Sequence, residues 1–145
     1  MRMVTIISHR GNISGPSADT ENVPVHISNV IKHVLVVIDV WNVKNEWHLG
    51  TEEPTHMVDF EFVKHENLIL RARNIDALSQ LTETDLHYFA HQADDFTLTS
   101  KNKIWTFPTK EVTVNSIVMC GNMTQTRKYY RSDCYAICTD YCHGL

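Results

Sequence analysis

Three side chains that could bind ligands or transfer protons lie at the carboxyl ends of the first two predicted strands. His9 and Arg10 come directly after a β-branched strand predicted over residues 3–8, and Asp39 lies near the end of the apolar run 34–41. So short an apolar run is typical of a strand that is buried on both faces. Because parallel barrels and open α/β sheets place their chemistry at the carboxyl ends of the strands, these residues are candidates for a functional site.

Further charged side chains lie at the ends of later predicted strands. Arg71 and Arg73 end the third predicted strand, and His91 ends the fourth. A lone buried carboxylate needs a partner of opposite charge, because an unpaired charge away from water is costly. We therefore expect Asp39 to pair with Arg71 or Arg73.

The predicted elements alternate between strand and helix in the first half of the chain and are mostly strands after it. Pro24 suits the first turn of a helix that joins the first two strands into a βαβ unit, which makes those strands parallel neighbours. The later elements are a turn and return strand at 42–50, a helix at 57–65, strands at 68–73 and 87–91 around a helix at 74–81, a loop at 93–100, and strands at 104–107, 116–119 and 135–139.

This pattern predicts an α/β fold in one domain, residues 1–145, namely a reduced, compact TIM-type parallel barrel with short or missing helices. A complete eightfold barrel usually takes about 250 residues, so in this shorter chain some helices must be short or missing. An open parallel sheet is the runner-up.

Composition and charge narrow the classes of function. The 145 residues are 43% hydrophobic and 21% charged, with a net charge of -4 and scattered Lys and Arg, so no nucleic-acid partner is expected. No apolar run approaches the roughly 20 residues that span a bilayer, and no signal peptide is recognised, so we predict a cytoplasmic chain without a membrane span. The spacing of the four cysteines matches no common zinc site and favours reduced thiols.

A set of short motifs extends in order through nearly the whole chain. They are SHRGN at 8–12, EN at 21–22, IDVW at 38–41, LGTEEP at 49–54, ARN at 72–74, HYFAHQ at 87–92, DD at 94–95, TLTS at 97–100, IWTFP at 104–108 and ICTDY at 137–141. In this order they resemble the glycerophosphodiester phosphodiesterases, and more closely a compact branch of that superfamily found among viral and environmental sequences. The resemblance implies a barrel that cleaves phosphodiesters with a divalent metal and two histidines.

Site residues follow from the resemblance position by position. His9 and Arg10 match the His-Arg of the family and would be catalytic, and His91 would line the pocket. Asp39 matches one carboxylate of a Glu-x-Asp pair that a strand directs at one ion. Val37 stands where that glutamate is expected, so one metal ligand is lost.

Two further motifs depart from the family. Thr51 replaces the second catalytic histidine and Glu52 the acid that follows it, and threonine does not titrate near neutrality. Arg71 stands where relatives carry a metal ligand or histidine, and Arg73 where they carry lysine. Two guanidinium groups near the seat of a divalent cation would repel it and favour an anion.

Our first functional hypothesis is a degenerate phosphodiesterase-like protein with weakened or lost metal-dependent hydrolysis and no cofactor. It would keep a pocket for a phosphate-bearing small molecule, lined by His9, Arg10, Arg71, Arg73 and His91. The alternative is an active phosphodiesterase in which Asp39 and Glu52, with Glu21, hold magnesium or calcium weakly while His9 works with His91.

A third hypothesis is a structural or assembly protein that reuses the barrel. It predicts that Arg73 pairs with Asp39 and fills the pocket, and that a large self-interface exists. Independently of function, a barrel with few helices leaves apolar outer faces of its strands uncovered. We therefore expect a homo-oligomer.

Overall fold

The computed structural model describes residues 4–143 and residue 145, so the predicted strand start at Met3 lies outside the described residues. The strands are β1 (Thr5–His9), β2 (Leu35–Val43), β3 (Glu46–Leu49), β4 (His56–Val58), β5 (Leu68–Ala72), β6 (Tyr88–Phe89), β7 (Phe96–Leu98), β8 (Ile104–Thr106), β9 (Ser116–Cys120) and β10 (Ala136–Thr139). The helices are α1 (Pro24–Val30), α2 (Phe60–Val63), α3 (Ile75–Leu81) and α4 (Met123–Tyr130).

All these strands form one curled sheet. Seven of them pair in parallel in the order β6-β5-β2-β1-β10-β9-β8. Antiparallel strands extend this parallel part of the sheet at two places. β2 forms a hairpin with β3, which pairs with β4, and β7 pairs with β8. A tight turn at Lys44 and Asn45, both with positive φ, makes the first hairpin, as a two-residue connection requires.

The predicted TIM-type parallel barrel is wrong. The described chain is a curled, mixed half-barrel with only 18% helix in four short helices, and the two antiparallel extensions also rule out the open parallel sheet. The physical reason is that loops replace the crossover helices in the second half: no described helix separates β6 from β7 or β8 from β9. Without those helices the sheet has no complete outer layer.

The concave face of the sheet holds a small apolar core. Each parallel strand contributes to it, through Ile7, Val37, Ile69, Phe89, Trp105, Ile117 and Cys138. Phe89 and Trp105 stack at 4.5 Å between ring centroids, which connects β6 to β8 across the unpaired side. Since alternate residues of a strand share a face, the next inward positions lie one layer nearer the carboxyl ends of the strands.

Most local predictions in the first half are confirmed. β1 and β2 are parallel neighbours, and β3 returns along β2. The helix predicted at 74–81 is α3, and its N-cap Asn74 accepts from the Ala77 amide at 3.0 Å. The helix predicted at 57–65 is shorter, since only Phe60–Val63 form α2 and the first predicted residues belong to β4. Cys120, Cys138 and Cys142 carry free thiols, and among the described residues no helix has the length and apolarity to cross a membrane.

His87, at the start of β6, should make the fold sensitive to mild acid. Its Nε2 lies 2.7 Å from the Thr99 hydroxyl, and burial, with help from Lys101 and Lys103, lowers the pKa of His87 from 6.5 to about 4. The unfolded chain therefore binds a proton between these values while the folded chain does not, so the free energy of unfolding falls as the pH drops from 6.5 towards 4.

We expect His87→Gln to flatten that part of the stability profile. Urea denaturation at pH 7 and at pH 4.5 measures it, and the exposed His33→Gln serves as the matched control. If His87→Gln lost as much free energy of unfolding between pH 7 and pH 4.5 as the native chain does, the acid sensitivity would belong to other groups.

Candidate functional site

Polar side chains replace the apolar core one layer closer to the carboxyl ends of the parallel strands. On the concave face, Ile7 is followed two residues later by His9, Val37 by Asp39 and Ile69 by Arg71. His91 after β6 and Asp140 after β10 lie in the same layer. The concave face therefore ends in a layer of imidazole, carboxylate and guanidinium groups.

Asp39 is the buried centre of this layer. Its Oδ2 accepts from Arg10 Nε at 2.7 Å and from Asn22 Nδ2 at 2.9 Å, and its Oδ1 accepts from Arg73 Nη1 at 3.0 Å. The side chain is 1% exposed. The predicted pairing with an arginine is confirmed for Arg73, and Arg10 is a second partner that the sequence did not predict. Both oxygens of Asp39 therefore already face guanidinium groups.

The loop after β1 is shaped to hold these contacts. Arg10 and Asn22 both have positive φ, of 62° and 56°, a conformation that costs energy for residues other than glycine. The Asn22 side chain both donates to Asp39 and accepts from the Asp39 amide at 3.0 Å. The N-cap of α1 is Val23, which makes no side-chain cap hydrogen bond, so Asn22 does not cap this helix. Asn22 instead fixes the loop to β2.

A second cluster forms around Asp140. Its Oδ1 accepts from His9 Nδ1 at 3.0 Å and from Asn12 Nδ2 at 2.8 Å. Burial alone would raise the pKa of Asp140, but the hydrogen bond and charge of His9 and the Asn12 amide outweigh it, so that pKa lies below its usual value. Because a carboxylate only accepts, Nδ1 of His9 carries the hydrogen, and Nε2 is the ring atom left for other contacts.

Glu21 and Thr51 join the two clusters. Glu21 accepts from Asn12 Nδ2 at 2.9 Å and lies 3.7 Å from Arg10 Nη1. The Thr51 hydroxyl accepts from Asn22 at 3.0 Å and donates to Glu21 at 3.4 Å. Thr51 therefore occupies a structural place in the network, where the resemblance had implied a second histidine.

The predicted metal pair of Asp39 and Glu52 is not gathered into one centre. Glu52 is exposed, and no hydrogen bond or ion pair of its side chain is found within the described residues. Val37, in place of the family's glutamate, lies in the apolar core at 2% exposure. No group of three or more His, Cys, Asp or Glu side chains within residues 4–143 and 145 could hold a metal ion.

Arg71 lies beside the ion pairs without an acid of its own. Its Nη2 donates to the His91 carbonyl at 2.8 Å, its Nε is buried without a partner, and no carboxylate of the described residues lies within 4.0 Å. Burial lowers the pKa of Arg71; the charge of Asp39 and, to a smaller extent, that of Glu52 raise it, while Arg73 and Arg10 lower it. Arg71 is thus the guanidinium group whose charge is least compensated here.

A cavity of about 500 Å³ opens at this arginine. It is lined by Arg71, Ala72, Arg73, Asn74, Ile75, Leu78, Ala90, His91 and Gln92. Arg73 also lies over the Trp41 ring, 5.6 Å from its centroid, so the aromatic side chain and Asp39 together fix its guanidinium group.

His91 is a buried wall of the cavity, 7% exposed. Its Nε2 donates to the Asp94 carbonyl at 2.6 Å and its ring meets Phe107 edge-on at 4.6 Å. Its Nδ1 has no partner within the described part of the chain. The structure therefore places Arg71, Arg73 and His91 at one cavity, and His9 and Arg10 on the other side of Asp39.

No protein-family model matches the chain, and no curated protein or solved structure is significantly similar to it. The resemblance to the glycerophosphodiester phosphodiesterases rests on the short motifs given above and stays a prediction. Sequence reasoning did not single out Asn12, which bridges Glu21 and Asp140. Its place in the SHRGN motif was the available signal.

Proposed function

We propose that the protein binds a phosphate-bearing small molecule at the cavity beside Arg71, as a degenerate relative of metal-dependent phosphodiesterases. The observation that carries the proposal is a guanidinium group that lines a cavity without a carboxylate partner among the described residues. A second guanidinium group, on Arg73, lines the same cavity and has one of its nitrogens engaged by Asp39.

The charge arrangement favours an anion over a cation. The three central acids are already compensated: Asp39 by two arginines, Asp140 by His9 and Asn12, and Glu21 by Asn12 and Arg10. A divalent cation would have to displace a guanidinium group from Asp39 and would be repelled by Arg71 at short range. An anion meets neither obstacle.

Phosphate suits the geometry because guanidinium groups bind its oxygens through paired hydrogen bonds. The cavity of about 500 Å³ lies within the range of small-molecule sites, about 300–1,000 Å³, so it has room for a group attached to the phosphate. Its walls include the apolar Ile75 and Leu78. The ligand would therefore carry an organic substituent next to its anionic group.

Residual hydrolysis is the second candidate, and the His9–Asp140 pair favours it. A carboxylate that orients an imidazole at 3.0 Å is an arrangement suited to proton transfer. The partner position holds Thr51, which exchanges no proton near neutrality, so binding remains the first proposal. Hydrolysis of a chromogenic phosphodiester in the presence of magnesium or calcium, lost in His9→Ala, would favour the active alternative.

The assembly hypothesis is supported by one contact only. It predicted the pairing of Arg73 with Asp39, which is present at 3.0 Å, but it also predicted a filled pocket. The cavity beside Arg71 is open. Self-association and ligand binding are therefore separate questions.

Isothermal titration calorimetry with inorganic phosphate, and in separate runs with magnesium and calcium, tests the proposal. We expect phosphate to bind at one site with a dissociation constant in the millimolar range or below, and to bind more weakly as salt rises. Micromolar binding of either metal that disappears in Asp39→Ala would overturn the proposal.

A further inference from the structure

The outer face of β7 and β8 carries large apolar side chains. Phe96 and Leu98 are 60% and 63% exposed, and Leu98 lies opposite Ile104 in the antiparallel register. Trp105 of β8 points into the concave core, so its neighbours Ile104 and Thr106, and the residues paired with them, point outward. We call Phe96, Leu98 and Ile104 the β7 face.

The helices cover other parts of the sheet. α1 packs on β2, α3 on β2 and β5, and α4 on β9 and β10. Within the described residues no helix packs comparably on β7, which is the last strand on its side of the sheet. Exposed apolar faces of this kind are typical interaction sites.

Opposite charges flank the β7 face along the chain. Asp94 and Asp95 precede β7 and line, with Ala93 and Phe96, a cavity of about 460 Å³. Asp95 pairs with Lys110 at 3.4 Å, whereas neither Asp94 nor Lys101, which follows β7, has an ion-pair partner within the described part of the chain. The strand therefore has an acidic hollow at one end and an uncompensated lysine at the other.

We propose that two copies of the chain associate through their β7 faces about a two-fold axis near Thr97. Asp94 lies three residues before Thr97 and Lys101 four residues after it. A two-fold axis at this place packs Phe96 and Leu98 of one copy against those of the other. It also brings Lys101 of each copy to the Asp94 hollow of its partner, so the charges are complementary in both directions.

The association should be weak and depend on concentration. The β7 face contributes few large side chains, fewer than the roughly 20 residues a side of a stable interface. Sedimentation velocity over a wide range of protein concentrations is therefore the suitable measurement. We expect a monomer that converts to a dimer as concentration rises, and a particle of one chain at every concentration would overturn the proposal.

Substitution of Leu98 locates the interface. We expect Leu98→Glu to weaken dimerisation by about 30-fold or more, as loss of a central apolar anchor does. Val25→Glu, at an exposed apolar position on α1 (72%), should leave dimerisation unchanged. A dimer that tolerates Leu98→Glu as well as Val25→Glu would place the interface elsewhere.

Reciprocal charge reversal tests the two-fold register. Asp94→Lys alone and Lys101→Asp alone should each weaken dimerisation several-fold, because each places like charges opposite one another. The double variant Asp94→Lys/Lys101→Asp should recover most of the native affinity. If the double variant lost as much dimerisation free energy as the two single variants together, the proposed register would be overturned. Circular dichroism of each variant checks that the fold is intact.

Discussion

Asp39→Asn should lower the free energy of unfolding by about 3 kcal/mol or more, because it leaves two guanidinium groups beside a buried neutral amide. The native carboxylate is 1% exposed and accepts from Arg10 and Arg73, whose side chains are 16% and 20% exposed. Partial exposure of the arginines places the effect near the lower end of the range for broken buried pairs.

Urea denaturation at pH 7 measures this loss, with Asp133→Asn at an exposed position as the matched control. The double variant Asp39→Asn/Arg73→Met should recover part of the loss, because it also removes one unpaired charge. If Asp39→Asn were as stable as the Asp133 control, the ion pairs would not hold the site together, and Asp39 would be available to another ligand.

The first half of the fold could be predicted because its signals are local. The apolar run before Asp39 and the proline at the start of α1 each predict an element from neighbouring residues alone. In contrast, α4 buries only Thr126 and Tyr129 and has no apolar stripe, so periodicity could not reveal it. β7 was predicted as a loop because Phe96 and Leu98 alternate over only three residues behind two acids.

The overall architecture depended on connections that the local patterns do not contain. Short strands without intervening helices were expected to close into a parallel barrel. Whether β2 continues as a hairpin with β3 and β4, or β7 turns back on β8, is decided by turns and long-range pairing. The prediction of a parallel barrel was wrong for that reason.

The candidate site shows the same division. Strand-end positions correctly brought Asp39 and Arg73 into contact, since parallel strands end at one edge. The contacts of Arg10 and Asn22 depend on positive φ angles in the loop after β1, which no residue pattern specifies. The open cavity beside Arg71 depends on where the segment after β6 lies, and this too is a property of the folded chain.

Arg71→Met should weaken phosphate binding about 10- to 100-fold, the effect of losing a hydrogen bond to a charged group, without lowering stability. The substitution removes a buried Nε that has no partner and a positive charge that lies near Arg10 and Arg73. It also gives up the hydrogen bond to the His91 carbonyl. We expect the removed charge and the removed orphan nitrogen to outweigh that single bond, so the free energy of unfolding should stay level or rise by about 1 kcal/mol.

Calorimetric titration with phosphate and urea denaturation of the same samples distinguish a binding role of Arg71 from a structural one. Arg131→Met, at an exposed arginine after α4, is the control for both measurements. Arg71→Lys keeps a positive charge but not the fork of donors, so it should bind phosphate more weakly than the native chain and more tightly than Arg71→Met. A structural role predicts the opposite combination, in which stability is lost and phosphate binding is unchanged. The buried Nε of Arg71, which lies unpaired beside the cavity, argues for the binding role, because an arginine retained for the fold would pair this nitrogen.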